Sequence, residues 1–233
     1  DTTPEGEQVN IYGNHVGSWN FAATAYLNQW KVKIYYEHYF DDHSQMFFQY
    51  GRWKDGHIGL EITFPKNRFI DTFVYEGLGT KDQTGPMLYD SFWGEFEEQI
   101  SAKDNYYNHY LYQGWQHWGM GIGNPLLPGP IYNKNGQITF ISNRVLAHHI
   151  GFCGSPCQSL SYRMLLSYSR HWGTYDNPLN EIKKQFNSLF EVTYAPQQLK
   201  GWSFTISGAM DRGNLLGNNY GGMLVIRKQG IIK

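Results

Sequence analysis

Along residues 30–40, Trp30, Val32, Ile34, Tyr36, His38 and Phe40 alternate with Lys31, Lys33, Tyr35, Glu37 and Tyr39. Successive side chains of a β-strand point to opposite faces, so this period of two predicts a strand with one apolar and one charged face. The preceding segment repeats the pattern, with Trp19, Phe21, Ala23, Ala25 and Leu27 set against Asn20, Thr24, Tyr26 and Asn28. Ile58, Leu60, Ile62 and Phe64 around Glu61, Phe190, Val192 and Tyr194 around Glu191, and Trp202, Phe204 and Ile206 around Ser203 and Thr205 follow it too. About ten segments have the length of barrel strands, near 16–28, 30–41, 45–53, 57–64, 68–79, 138–151, 158–170, 185–195, 201–211 and 219–229.

Alternation of this kind suits either a soluble sandwich, with one face in a core, or a membrane barrel, with one face in lipid. Several segments exceed the usual five or six residues of globular strands. Their apolar faces also begin or end with Trp19, Trp30, Phe40, Phe64, Trp172, Tyr194 and Trp202, as the aromatic girdles of membrane barrels do. Short turns are expected at 65–68, 153–157 and 196–200, and long connections at 80–137, 171–184 and 212–218. The expectation is an all-β chain: an antiparallel transmembrane β-barrel of about ten strands, forming a single domain over 1–233. Lys31, Lys33, Glu37, Glu61, Glu76, Arg163, Glu191 and Arg227 are then candidate lumen residues. Arg144 and His148 share a parity with Ile138 and Phe140, which leaves their facing open.

Residues 80–137 break the alternation and are expected to form a long structured loop or plug. Phe92, Phe96 and Ile100 recur at helical spacing behind Asp90 or Ser91 as cap. Aromatic and amide side chains then crowd together, with rings that suit the apolar faces of sugars and amides that suit their hydroxyls. Trp93, Asn105, Tyr106, Tyr107, His109, Tyr112, Trp115, His117 and Trp118 are the candidates for glycan contact or for packing within a plug. A loop this aromatic is not expected to be disordered.

The composition narrows the function further. The chain has 233 residues, of which 17% are aromatic and 17% charged, with a formal net charge of -1. So little positive charge argues against nucleic-acid binding, and no apolar stretch has the length of a membrane helix. A mean hydropathy of -0.54 is compatible with a barrel, whose strands show lipid only every second residue. Cys153 and Cys157 could pair across a tight turn or remain free thiols. His109, His117 and the His148-His149 pair lack ligand spacing, so no metal site is expected, and no cofactor motif is present. Glu95, Glu97 and Glu98 could suggest a glycosidase pair, but clustered glutamates on a short helix suit a solvated face. No nucleophile elbow, P-loop or dinucleotide fingerprint occurs, so the chain is not expected to be an enzyme.

Several runs carry a family resemblance. They are Tyr75-Glu76-Gly77, the segment from Thr80 to Pro86, the segment from Asp104 to Tyr110, and that from Gly119 to Leu126. Asn143-Arg144-Val145 with His148-His149, Asp211-Arg212-Gly213, Leu216-Gly217-Asn218-Asn219 and Gly221-Gly222-Met223 continue the pattern. From about residue 16 onward the chain resembles the Wzi-like capsule-assembly family of Bacteroidetes outer membranes. The resemblance implies a barrel in the outer membrane of a Gram-negative bacterium that attaches or organises capsular or other surface polysaccharide without catalysis. Its implied partners are outer-membrane lipid, surface polysaccharide and other outer-membrane proteins. Family members are typically longer and carry more strands ahead of the matched region. This leaves open whether the chain closes a barrel alone or forms the C-terminal part of a larger one with a missing N-terminal portion. A secreted soluble β-protein that binds or cleaves glycans and a porin-like channel are the alternatives.

Overall fold

A computed structural model of the chain describes residues 17–40, 43–46, 55–67, 69–87, 102–108 and 115–230. Asn28 takes a left-handed φ of 56°, which suits a two-residue hairpin turn. Asn28-Gln29 thereby folds β1 (Gly17–Leu27) back onto β2 (Trp30–Phe40). A short α1 (His43–Met46), β3 (Gly56–Thr63) and β4 (Thr72–Gly79) follow, then a small hairpin of β5 (Gln116–His117) and β6 (Met120–Gly121). A 3₁₀ turn at Pro130–Tyr132 precedes β7 (Val145–Cys157), β8 (Leu160–Gly173), β9 (Pro178–Tyr194), β10 (Trp202–Gly213) and β11 (Asn219–Lys228). All strands except β5 and β6 join one antiparallel sheet of nine, in the order β1-β2-β3-β4-β7-β8-β9-β10-β11. Among the described residues β1 pairs only with β2 and β11 only with β10, so this sheet is open at both edges.

The fold is all-β, and it corrects the expected boundaries at four places. Residues 43–46 are helical rather than the start of a strand near 45–53, because Gln45 is turned into a buried contact with Tyr106. The rest of that segment up to residue 54 lies outside the described residues. Cys153 to Cys157 is strand, not turn, and the chain reverses at Gln158-Ser159. A register shift between Gly154 and Cys157 accommodates Pro156, which has no N–H for the ladder. The connection expected over 171–184 shrinks to 174–177, since β9 continues along β8 through Arg170↔Lys184 and His171↔Lys183. Strand β7 starts at Val145 rather than near 138, because Phe140, Ser142 and Asn143 are buried in the plug instead. With β2 paired directly to β3, connections 28–29, 64–71, 158–159 and 195–201 share one end of the sheet. Connections 41–55, 80–144, 174–177 and 214–218 share the other, and the two longest are both there.

Residues directly opposite one another in a ladder share a face, so the register tracks each face across the sheet. One face runs through Phe21↔Tyr36, Ile34↔Leu60, Leu60↔Tyr75 and Tyr75↔Ile150. It continues through Ile150↔Leu166, Val192↔Ile206 and Ile206↔Leu224. The other holds every lumen candidate: Lys33↔Glu61, Gly59↔Glu76, Arg163↔Glu191, Ser203↔Arg227, with Lys31 and Glu37 of like parity on β2. The same register turns His148 to the apolar face, opposite Gly77, and His149 to the polar face, opposite Glu76.

Burial is inverted relative to a soluble sandwich. On the apolar face Trp19, Phe21, Ile34, Ile58, Phe190, Ile206 and Leu224 are between 43% and 67% exposed. Among the described residues the buried set is mostly polar and includes Gln45, Asp55, Thr80, Gln83, Asn143, His171 and Gln185. The apolar core is small: Leu78, Val145 and Ala147 from the polar face of the sheet meet Leu127 and Phe140 of the long connection. That connection therefore packs against the polar face. Aromatic residues rim the apolar face at both ends. Trp30 and Phe64 (ring centroids 5.0 Å apart), Tyr194 and Trp202 stand toward the short turns. Trp19 with Phe40 (6.4 Å) and Trp172 stand toward the long connections.

Gly59 shows how the polar face is packed. Tyr35, Gly59 and Glu76 are successive cross-strand neighbours on β2, β3 and β4. A Cβ at Gly59 would lie 2.0 Å from Tyr35 Cζ, so only glycine lets the Tyr35 ring cross β3 and donate its hydroxyl to Glu76 Oε1. Gly208, in contrast, has nothing within 4 Å of an added Cβ. Overpacking of an ordered contact costs about 1–3 kcal/mol. Gly59→Ala is therefore expected to lower the unfolding free energy of the protein by that amount, measured by denaturant titration, and Gly208→Ala to leave it within error. Equal effects at the two sites would show that Tyr35 does not depend on the gap.

Candidate functional site

The site is built from a polar row on the sheet and the plug that covers one end of it. Thr80, at the end of β4, pairs its backbone N–H with Val145 O (2.9 Å) and donates its hydroxyl to Asn143 O (2.7 Å). Gln83 donates to the same Asn143 carbonyl (2.9 Å) and to Thr80 O (3.0 Å). Asn143 in turn donates to Asn105 Oδ1 (2.6 Å) and Tyr106 O (2.7 Å). Asn108 exchanges bonds with the backbone of Phe140, 2.8 Å each way. These buried amides satisfy the backbone of a non-repetitive segment, which could not otherwise leave water.

Asp55, just before β3, anchors the same segment. Its carboxylate accepts the backbone N–H groups of Asp82 (2.8 Å) and Gln83 (2.7 Å), and Tyr106 Oη lies 3.0 Å from Oδ2. Arg144 clamps the neighbouring connection: its guanidinium stacks 3.8 Å from the Tyr175 ring centre while Nε donates to Lys81 O (3.1 Å). Tyr175 donates to Asp82 O (2.8 Å), and Lys103 pairs with Asp176 at 2.5 Å.

Below the plug, polar side chains form a row across the sheet. Register aligns Asn20 with Glu37 and Glu37 with His57, and further along aligns Glu76, His149, Ser167, Asn187, Asp211 and Asn219 in sequence. His57 bridges the two parts, with Nδ1 3.8 Å from Glu37 Oε2 and Nε2 3.4 Å from Glu76 Oε1. Ser18 donates to Glu37 (2.6 Å), His149 Nδ1 meets Ser167 Oγ (2.6 Å), and Asn187 donates to Asp211 (2.7 Å). A cavity of about 810 Å³ opens between this row and the plug, with Ser18 of β1 and Asn187 of β9 on the same wall. The sheet therefore curves around it. A second cavity of about 320 Å³ continues toward the short turns and shares Glu76, His149 and Ser167 with the first.

Of the lumen candidates, Glu37 and Glu76 wall the larger cavity and Arg163 the smaller, where it pairs with Glu191 (3.4 Å). Lys31 pairs with Glu61 (3.5 Å) and Lys33 lies over the Tyr35 ring (5.2 Å). Arg227 stands exposed on β11 next to the open edge. Of the loop candidates, Asn105 Oδ1 and Tyr106 Oη are engaged by other residues of the protein. Tyr107 packs edge-on against Phe140 and reaches the cavity wall. Trp115 flanks the β5–β6 hairpin, bonded through its carbonyl to Ile122 N (3.0 Å). His117 and Trp118 lie at the hairpin's tip, where Trp118 and Gly119 both have positive φ (52° and 78°) and Trp118 is 84% exposed. A large residue in the left-handed region is uncommon and costs energy, so this turn holds its indole outward against a local preference. Trp93, His109 and Tyr112 lie outside the described residues, as does the expected helix at 91–100.

Cys153 and Cys157 are free, contrary to the pairing considered from sequence. Four residues of extended strand separate their Cα atoms by ~13 Å, beyond the reach of a disulfide. Sequence reading did not name Tyr35, His57, Ser167, Asn187 or Asp211 as site candidates. Parity with Glu37 on β2, Glu61 on β3, Arg163 on β8 and Glu191 on β9 is the signal that assigns the first four to the polar face, and Asp211 follows from its pairing with Asn187.

Burial lifts the Asp55 carboxyl to about 6, although the two backbone N–H bonds and the Tyr106 contact pull it down. An unfolded aspartate titrates near ~3.9, so the native state favours the protonated form. The stability this group contributes is full below pH ~4 and is lost as pH rises through about 6. Relative to Asp55→Asn, the wild-type protein should lose about 2–3 kcal/mol of unfolding free energy between pH 4 and pH 7 in denaturant titrations. Parallel pH profiles for the two proteins would refute the assignment. Comparison with family models, curated proteins and solved structures returned no match for this chain.

Proposed function

We propose that the sheet is wall material of an outer-membrane β-barrel in a Gram-negative bacterium, and that the protein binds, anchors or organises surface polysaccharide without catalysis. The observation that carries this reading is the inverted partition: large apolar side chains exposed on one continuous face, polar side chains and a packed plug on the other. A soluble sandwich buries its apolar face, and exposed apolar patches of this extent mark contact with lipid or protein. Six of the nine strands are between 10 and 14 residues long and β9 reaches 17, which suits a tilted membrane crossing. Aromatic residues at both ends of the apolar face suit the two interfaces. In hydrocarbon the open edges of β1 and β11 require partner strands, so the reading includes a wall wider than these nine.

The glycan part rests on side chains held toward solvent at the long-connection end, Trp118 and His117 above all, next to a cavity walled by carboxylate, imidazole, hydroxyl and amide groups. The reading assigns no reaction. A porin-like channel is the second reading, favoured by the two cavities that share Glu76, His149 and Ser167.

Washed membranes extracted with alkaline carbonate should retain the protein, and detergent should release it. Release by carbonate or high salt alone would overturn the membrane assignment. Trp118→Ala combined with Trp115→Ala should reduce retention of surface polysaccharide on cells at least several-fold while the protein level in the membrane is unchanged. Unchanged retention would remove the hairpin from the glycan contact. Steady ion conductance in planar bilayers would favour the channel.

A further inference from the structure

The larger cavity has a charge character that the proposed function does not by itself require. Its volume, about 810 Å³, lies within the range of small-molecule sites. Two carboxylates, Glu37 and Glu76, stand on its sheet wall, with His57 between them. No lysine or arginine lines it among the described residues. The cations of the polar face lie elsewhere: Lys31 against Glu61, Lys33 over Tyr35, Arg163 against Glu191 in the smaller cavity. The fixed charges among the described lining residues are therefore the two carboxylates, with no lysine or arginine against them.

Two atoms on this wall are also left available. Glu76 spends Oε1 on Tyr35 and His57, while Oε2 accepts no bond among the described residues. His149 spends Nδ1 on Ser167, and Nε2 makes none. They are cross-strand neighbours, Glu76 on β4 and His149 on β7, so a ligand between them meets an acceptor and an imidazole nitrogen side by side. A sugar hydroxyl or an ammonium group can donate to the carboxylate. A ligand carboxylate or phosphate placed there would meet like charge at close range, in a partly enclosed site where screening by water is weak.

Resting on the glycan reading above, we propose that this cavity is a saccharide subsite selective for neutral or amine-bearing sugar units and closed to uronates and phosphorylated sugars. Glu37 and Glu76 set the selectivity, and the plug residues Tyr107 and Tyr132 form the opposite wall against which a sugar ring can lie.

The test is calorimetric titration of the intact detergent-solubilised protein with three hexasaccharides of equal length: fully deacetylated glucosamine, neutral glucose and galacturonate. The expected order is glucosamine tightest, glucose next, and galacturonate at least ~10-fold weaker than glucose. Raising salt from 50 to 500 mM should weaken glucosamine binding several-fold and leave glucose unchanged, because only the first uses net charge. The combined Glu37→Gln and Glu76→Gln change should lower glucosamine affinity ~10-fold and remove the discrimination against galacturonate. The salt dependence tests the proposal on the unmutated protein should that variant fail to fold. Galacturonate binding as tight as glucose, or glucosamine binding indifferent to salt, would overturn the selectivity and leave the glycan reading standing. Absence of binding to all three, in protein that remains membrane-inserted, would overturn the glycan reading together with this inference.

Discussion

The structure depends on one constraint: the cross-strand register keeps parity from β1 to β11. Because the side-chain period is two, a slip of one residue in any ladder would send every later apolar residue to the polar face. The separation of Ile34, Leu60, Tyr75 and Ile150 from Glu37, His57, Glu76 and His149 is therefore a property of the whole ladder, not of single strands. The polar row, the cavity and the exposed apolar face all follow from it.

The plug depends on a different kind of bonding. Its described residues have little regular backbone ladder, so amides and one carboxylate supply the partners that a helix or sheet would provide internally. Thr80, Gln83, Asn105 and Asn143 act as a knot that ties the end of β4 to the start of β7. This confines the long connection to the polar side of the sheet, where Leu127 and Phe140 find Leu78, Val145 and Ala147. The apolar contacts and the amide knot place the same segment.

Most of the sheet was legible in the sequence because alternation is a local signal, and the residues of 16–40 or 201–229 carry it without help from distant contacts. The helical turn at 43–46 was not legible, because the buried bond of Gln45 to Tyr106 is made across 61 positions of sequence and leaves no local trace. The plug's amide-rich composition was visible, but composition cannot say whether an asparagine serves a sugar or a neighbouring carbonyl. Asn105 serves the protein, whereas Trp118 at the hairpin tip points away from it. The polar row was half legible: parity puts Glu76 and Ser167 on one face, but their common level is fixed by strand stagger, which is set by turns rather than by pattern.

The two irregularities in the ladder both sit where strands leave the sheet, at Gly154/Cys157 beside the Gln158-Ser159 reversal and at His171/Gly173 beside the 174–177 connection. Between those points the pairing is uninterrupted. Change in strand length is consequently quantised. Within a strand's span, insertions and deletions preserve the two faces only when they come in pairs of residues, whereas single-residue changes are absorbed only at the rims. Relatives of this chain that have diverged in length should therefore differ by even numbers inside β7, β8 and β9, and by any number in the connections above them.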